Sequence, residues 1–479
     1  MERSEEIEHS EEESRAAAQV TESDTNPPRG NPFPIVGIGA SAGGLEAFGQ
    51  LISAVPRNTG MAFVLVQHLD PLHPSLLTEL LAPATPMPVV TVQDGIAIQP
   101  EHVYVIPPNT SMELQDGHLR LVTRQPGLHL PIDIFFRSLA KVQGSRAIGV
   151  VLSGNASDGS LGVRAIKAEC GVTFAQDENT ARFGGMPRNA AATGAVDYVL
   201  PPEDIGKELG ILASHPYLLP RRPGDAQSET LPEGDGELKR IFTLLNAATK
   251  VDFSRYKPNT VRRRIGRRMM VLRIDRLSDY TRYAAEHSEE VRELYTDLLI
   301  GVTSFFRDPA NFEALTQLLA GKLAGRSDNE QPVRVWVPGC ASGEEVYSLA
   351  ICLFELLQEK QAPFPLQLFG TDISDMALER ARSGIYPALI ADDVSPGRLA
   401  RFFTKLNGDY QINKAIRESC IFARHDVTRD PPFSNLDLVS CRNLLIYLEQ
   451  SAQRRVLPVF HYALKPEGLL MLGTAETTA

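Results

Sequence analysis

The chain has 479 residues, 43% of them hydrophobic, with 48 Lys and Arg against 59 Asp and Glu for a net charge of −11. That length suggests about three folding units, and the acidic balance excludes a protein that coats nucleic acid by general charge. The five cysteines form no C-x-x-C pair, and no apolar run nears the ~18 residues of a membrane span. A cytoplasmic protein without a disulfide framework, a metal site or membrane insertion is therefore expected.

Residues 1–31 carry Glu5, Glu6, Glu8, Glu11, Glu12 and Glu13 without apolar periodicity, which reads as a disordered acidic tail. Residues 32–217 alternate short β-rich runs with helix-like segments. PIVGIG, MAFVLVQ, HVYVIPP, AIGVVLSG and VTFAQ are the expected strands. Several are continuously apolar, as in parallel sheets buried on both faces. The Pro-, Gly- and acid-rich residues 218–236 read as a linker. A helical unit follows over 237–315, where Asn259-Thr260 is expected to cap a basic helix and Ser278 and Ser288 two more. Over 316–479 the alternation returns with VRVWVPG, LQLFGTD, LDLVSC and GLLMLGT. The expected fold class is α/β, with two doubly wound domains.

In the first domain G-I-G-A-S-A-G-G (Gly37 to Gly44) follows a strand directly and puts Ser41 on the turn into a helix. Small residues let backbone N–H groups approach a ligand, and a helix N-terminus favours developing negative charge. Alone, such a turn serves equally to hold a nucleotide phosphate or to pack tightly. His68 ends the second strand in VLVQHLD, and Asp158 follows AIGVVLSG in S-G-N-A-S-D-G-S. All three thus follow strand C-termini, the edge where open α/β sheets place their sites. A serine nucleophile needs a base, and the base needs a carboxylate to hold it. The joint occurrence points to catalysis.

Gly37 to Gly44, Gln67-His68-Leu69, Ser153 to Gly159 and Gly185-Met186-Pro187-Arg188 resemble the catalytic domain of the chemotaxis protein-glutamate methylesterase, CheB. The resemblance implies Ser41 as nucleophile, His68 as base and Asp158 as orienting acid. The implied reaction is hydrolysis of glutamate γ-methyl esters on a receptor, with deamidation of glutamine as a companion. Asn155 stands where relatives usually have Met, whose backbone N–H helps form the oxyanion hole. No receiver domain precedes residue 32, so the usual control by phosphorylation is not expected in this chain.

In the second half VRVWVPGCASGEEVYSLA (Val333 to Ala350) reads as strand, Gly-containing loop and helix. LQLFGTDIS puts Asp372 at the end of the next strand, where a carboxylate accepts both ribose hydroxyls of an adenosyl ligand. The loop lacks G-x-G-x-x-G and carries Glu344 and Glu345 where a pyrophosphate needs positive charge. A cationic or zwitterionic ligand such as S-adenosylmethionine suits it better. SRYKPNTVRRRIGRRMMVLRIDR contains Arg262, Arg263, Arg264, Arg267, Arg268 and Arg273. Such a helix is a solvated face, a nucleic-acid binder (though without interleaved aromatics), or a docking face for a glutamate-rich helix. Docking through Arg262, Arg263, Arg264, Arg267 and Arg268 is the expectation taken forward, with no nucleic-acid partner.

The basic helix, T-S-F-F-R-D (Thr303 to Asp308), GCASGEE, GTDIS, SGIY (Ser383 to Tyr386) and CRNLLIY (Cys441 to Tyr447) are similar to the chemotaxis receptor methyltransferase, CheR. The resemblance implies a class I S-adenosylmethionine-dependent fold over 316–479, a helical subdomain over 237–315 and a small β-subdomain at about 385–423. It implies that Thr303, Arg307, Glu344, Asp372, Asp426, Val427, Arg442 and Asn443 contact S-adenosylmethionine or its product S-adenosylhomocysteine. Gly301 replaces an Asn contact of some relatives. The chain stops at LGTAETTA, ahead of an expected final hairpin, and larger fused relatives continue into sensor and kinase domains. The implied function is bifunctional modification of cytoplasmic glutamate-rich helices of chemoreceptor-type proteins. The rival is a non-catalytic S-adenosylmethionine-sensing or receptor-binding adaptor portion of a larger signalling protein.

Overall fold

The computed structural model describes residues 31–68, 76–123, 130–218, 235–299, 301, 303–323, 331–359, 365–406 and 408–477. The expected acidic tail and nearly all of the expected linker lie outside them.

Ten strands build the first domain: β1 Ile35–Ala40, β2 Ala62–Gln67, β3 Val89–Thr91, β4 Ile96–Ala97 and β5 Val103–Val105, then β6 Thr110–Gln115, β7 His118–Thr123, β8 Ala147–Val151, β9 Val172–Gln176 and β10 Tyr198–Leu200. Seven of them pair in parallel in the order β10-β9-β8-β1-β2-β5-β3. The central strands are buried along nearly their whole length, as their continuous apolar runs require. Helices Gly44–Ala54 and Pro202–Ala213 cover one face through Phe48, Leu51, Ile205 and Leu209. Helices Pro131–Gln143 and Ser160–Ala168 cover the other through Phe135, Phe136, Val163 and Ile166. The hairpin β6–β7, which pairs with β4 at the domain's side, is an element outside the expected strands.

The helical unit packs Leu245, Phe253, Ile265, Tyr280 and Leu294 into its own core. Its basic helix runs Pro258–Val271 with Lys257 as N-cap, so Asn259 and Thr260 lie inside it. Proline at the first helical position has its φ already set and no N–H to lose, and this moves the start ahead of the expected cap. Ser278 and Ser288 likewise fall within helices Leu277–Glu286 and Ser288–Leu298, whose N-caps are Arg276 and His287.

The last domain holds β11 Val333–Pro338, β12 Leu366–Asp372, β13 Ile385–Tyr386, β14 Phe403–Leu406, β15 Asp409–Ile412, β16 Cys420–Arg424, β17 Leu436–Cys441 and β18 Leu464–Leu472. Five pair in parallel as β16-β12-β11-β17-β18, and the direction of winding reverses between β11 and β17. Strands β13, β14 and β15 form a small antiparallel sheet. The expected β-subdomain therefore ends earlier than residue 423, because Cys420–Arg424 belongs to the main sheet beside β12. Among the described residues no helix is long and apolar enough to cross a membrane.

The two halves meet along the basic helix. Arg267 is fully buried and pairs with Asp197 of the first domain and Asp297 of its own unit, while its Nε donates to the Gly171 carbonyl at 2.9 Å. Lys167 Nζ completes the cluster, 3.4 Å from Asp197 and 3.5 Å from Asp297. Arg264 donates to the carbonyls of Lys167 and Ala168 at 2.8 and 2.6 Å, and Arg273 pairs with Glu208. Met270 of the same helix enters the first domain's core.

Two cations and two carboxylates balance in this buried site, so removing one leaves a charge without solvent or partner. Arg267→Ala is expected to destabilise the chain by about 3–5 kcal/mol, read from urea unfolding, whereas Arg282→Ala, exposed on a neighbouring helix, leaves the midpoint unchanged. Burial alone would raise the Asp297 carboxyl, but Arg267, Lys167 and Arg268 outweigh it and hold it below its ordinary value. Stability from this carboxylate is then present above the unfolded value of ~3.9 and lost as the pH falls below it.

Candidate active sites

β1 ends at Ala40 and the next helix begins at Gly44, which leaves Ser41 on the turn at the sheet's C-terminal edge. Its N–H donates to Ser153 O, and its carbonyl accepts from Gly44 N, both at 3.0 Å. Gly43 has φ 76°, and a Cβ there would lie 2.7 Å from Ser153 Oγ, so the turn admits only glycine. The register of β1 on β2 sets Ala40 opposite Gln67 and brings His68 beside Ser41. The two line one cavity together with Gly44, Glu46 and Arg182.

Asp158 is 1% exposed. His68 Nε2 stands 3.0 Å from its Oδ2, and the carboxylate also accepts N–H bonds from Ile132 at 3.0 Å and from Asp133 and Gly159 at 2.9 Å. The first two donors open the helix Pro131–Gln143, whose N-terminal N–H groups have no partner within the helix. Three backbone donors keep the carboxylate from turning, and it in turn orients the imidazole.

Asp133, 2% exposed, lies behind this pair and accepts from Gly162 N at 2.6 Å. Burial first, and then the charge of Asp158, push its pKa up to about 7. Nothing in the run PIDIFF marks it as a neighbour of the site. Asn155 is exposed.

In the second half the loop after β11 turns through Gly339 and Gly343, at φ 69° and 92°, into the helix Glu344–Glu359. A Cβ on Gly343 would lie 2.9 Å from Ala381 Cβ. Asp372, at the end of β12, accepts from Ala341 N and Ser374 N at 2.9 Å each, and burial raises its pKa. A cavity at the reversal point of the sheet is walled by Gly339, Ala341, Asp372, Asp426, Val427 and Asn443. Tyr256, Thr260 and Leu299 close it from the helical unit. Four expected contacts, Asp372, Asp426, Val427 and Asn443, thus share one wall. Asp426 also holds its own turn by accepting from Thr428 N and Oγ1.

Thr303 is half-buried, and Arg307, Glu344 and Arg442 stand behind the cavity rather than in its wall. The fully buried Arg442 guanidinium donates to Arg307 O at 2.8 Å and Asp308 Oδ2 at 2.7 Å, and lies 3.5 Å from Glu345. Glu345 accepts from Ser440 Oγ at 2.6 Å. Burial raises its pKa, with Arg442 and Arg307 opposing the rise. Glu344 turns the other way and accepts from Ser342 Oγ at 2.7 Å. Successive helical residues point about 100° apart, so Glu345, and not Glu344, faces Arg442. Glu476, unmarked in the sequence, accepts N–H bonds from Asn443, Leu444, Leu445 and Gly473, and so holds the CRNLLIY loop in shape.

The expected docking face is also corrected. Arg264, Arg267 and Arg268 are buried and Arg262 and Arg263 half-buried. Arg264 and Arg267 serve the joint between domains, and Arg268 donates to Glu290 at 3.0 Å. At a helical pitch of 100° per residue, closely spaced arginines point all round the helix, and those facing neighbours must be paired.

These residues fit S-adenosylmethionine. Asp372 is a desolvated carboxylate in the cavity wall, and a ligand that carries hydroxyl donors and a positive charge would suit it. Among the described residues of the cavity wall the one arginine, Arg264, already donates to two carbonyls.

A family model described as CheB methylesterase matches residues 36–209. Those described as CheR methyltransferase, all-alpha domain, and CheR methyltransferase, SAM binding domain, match 236–299 and 301–479. The chain is similar to an uncharacterized 104.1 kDa protein in the hypE 3′ region of Rhodobacter capsulatus, at 42% identity over 84% of this chain and 44% of that one. It is 31% identical to a chemotaxis protein methyltransferase of Escherichia coli, over 52% of this chain and 87% of that protein. It is 39% identical to protein-glutamate methylesterase/protein-glutamine glutaminase 2 of Burkholderia lata, over 41% of this chain and 58% of that one. The chain spans less than half the length of the Rhodobacter relative.

Asp133 gives the first domain a pH dependence of its own. Between the unfolded value of ~3.9 and about 7 the folded chain keeps a proton that the unfolded chain has released. Stability from this group is therefore present at low pH and falls as the pH rises through 7. Urea midpoints at pH 5 and pH 8 are expected to differ less in Asp133→Asn than in the parent.

Proposed function

The chain belongs to the CheB methylesterase and CheR methyltransferase families, and from that premise we propose that it both removes methyl groups from and adds them to glutamate side chains of an acidic receptor. The observation that carries the reading is the His68–Asp158 pair on the same sheet edge as Ser41, in one chain with a carboxylate-walled cavity at the reversal point of a second sheet.

In the hydrolytic half Ser41 Oγ attacks the γ-ester carbonyl, His68 takes the hydroxyl proton and returns it to the departing methanol, and Asp158 steadies the imidazolium. The oxyanion develops at the N-terminus of the helix that follows Ser41, where free N–H groups favour it. Departure of methanol leaves the glutamyl group as an ester on Ser41. A water that gives its proton to His68 then attacks that ester, frees the glutamate and restores the serine. On a glutamine amide the same two steps release ammonia in place of methanol.

In the transferase half S-adenosylmethionine supplies a methyl group activated by its sulfonium. Asp372 would take the ribose hydroxyls, Asp426 and Val427 would flank the adenine, and Glu344 or Glu345, Arg307, Arg442 and Asn443 would hold the amino-acid end, with Thr303 beside them. The accepting carboxylate is ionised at neutral pH, so no general base is required. The protein contributes in-line placement and exclusion of water. The acceptor in this reading is a glutamate-rich cytoplasmic helix of chemoreceptor type.

The test follows label from S-adenosylmethionine onto receptor cytoplasmic fragments and off again. Ser41→Ala is expected to abolish release of methanol while leaving methyl transfer intact. Asp372→Ala is expected to weaken S-adenosylmethionine binding at least tenfold by calorimetry, since hydrogen bonds to a charged group contribute about 1.5–3 kcal/mol. Hydrolysis surviving in the first variant, or unchanged affinity in the second, removes the corresponding half of the reading.

A further inference from the structure

The helix Ser160–Ala168 begins two residues after Asp158, at the hydrolytic site, and runs to the joint with the other half. Its Lys167 enters the buried charge cluster. Arg164, one turn earlier, reaches a cleft of about 290 Å³ that it lines together with Arg380, Ser342, Asp372, Met376 and Gly301. Ala341, Asp372, Leu299 and Gly301 line both this cleft and the donor cavity, so the two spaces adjoin.

Two arginines, Arg164 and Arg380, line the cleft. Arg264, Arg267, Arg268 and Arg273 around the joint all have hydrogen-bond or ion-pair partners. Among the described residues the guanidiniums of Arg164 and Arg380 have none. The carboxylates in the cleft wall are already committed: Asp375 pairs with Arg424 at 2.6 Å, and Asp372 accepts two backbone N–H bonds. Burial lowers the pKa of Arg164, Glu344 opposes that, and Arg380 and Arg137 add like charge. A partly buried guanidinium among like charges, with its planar fork unused, is built to receive a carboxylate.

We propose that this cleft seats carboxylates of the methyl-accepting segment, so that the hydrolytic domain supplies part of the acceptor site of the transferase. The inference rests on the transferase reading above. On an acidic helix, glutamates three or four residues apart lie about 5–6 Å from one another. One then enters the donor cavity while the next pairs with Arg164 and Arg380. The alternative source of the same chemistry is the carboxylate of S-adenosylmethionine itself.

Full-length parent, Arg164→Gln, Arg164→Lys and the exposed Arg380→Gln separate these. Initial rates of methyl transfer are measured against the concentration of a glutamate-rich receptor fragment at saturating S-adenosylmethionine, with calorimetry for the donor and ester hydrolysis as control of folding. Arg164→Gln is expected to raise the acceptor KM about tenfold with a smaller change in kcat, Arg164→Lys to recover part of the loss, and Arg380→Gln to raise KM less. Salt is expected to raise the parent's KM more than that of Arg164→Gln. Donor affinity and hydrolysis stay at parent values. An acceptor KM within twofold of the parent in both Gln variants overturns the proposal. So does weakened donor binding with acceptor KM unchanged, which assigns the cleft to the donor's own carboxylate. If the parent binds S-adenosylmethionine yet transfers no methyl group, the transferase reading has failed. Fluorescence anisotropy of a labelled poly-glutamate peptide then decides the cleft: salt-sensitive binding lost in Arg164→Gln supports it, and equal binding by parent and variant overturns it.

Discussion

The arrangement of this protein depends on one buried charge cluster. Arg267 is inaccessible to solvent, and each of its two carboxylate partners comes from a different part of the chain. A buried ion tolerates no loss of partner, so the cluster exists only when the hydrolytic domain and the helical unit stand in one relation. Domain pairs joined by small polar contacts ordinarily shift against each other. Here Met270 adds apolar contact across the same seam, and Tyr198 Oη donates to Val271 O at 3.0 Å.

That fixed relation has chemical consequences. The helix that carries Lys167 into the cluster starts beside Asp158 and carries Arg164 toward the donor cavity. One nine-residue helix therefore touches the hydrolytic site, the joint and the rim of the transferase site. The basic helix that a free-standing helical unit would show to solvent is instead consumed by the joint. The arginines that line the cleft between the domains are Arg164 and Arg380.

Within each domain the logic is that of parallel sheets. Strand C-termini converge on one edge, the chain turns there through residues small enough to bring backbone N–H groups close, and helices begin there with unpartnered donors. Asp158 shows how much follows. It uses two of those donors at the start of the helix Pro131–Gln143 and is thereby held for His68. Asp133, third in the same helix, is forced against it and must hold its proton to higher pH.

The alternation of apolar runs with helical segments, the Gly-rich turn at Ser41, the ends of β2 and β8 at His68 and Asp158, and Asp372 at the end of β12 were all legible in the sequence. Each depends on neighbours a few residues away, and periodicity and turn chemistry record such local constraints. The hairpin β6–β7 was legible too and is absent from the expected strands, although Asp116-Gly117, with both residues at positive φ, is the chemistry of a tight hairpin turn. What only the tertiary structure decided is where charged side chains find partners. A run of arginines looks the same whether it faces water or a carboxylate, and Arg267 meets Asp197 across 70 residues of chain. The pairing of Glu345 with Arg442, the raised pKa of Asp133 and the place of Arg164 in the cleft between the domains are of the same kind. Coulomb interaction and desolvation depend on separation and burial in space, and neither is written in the spacing of residues along the chain.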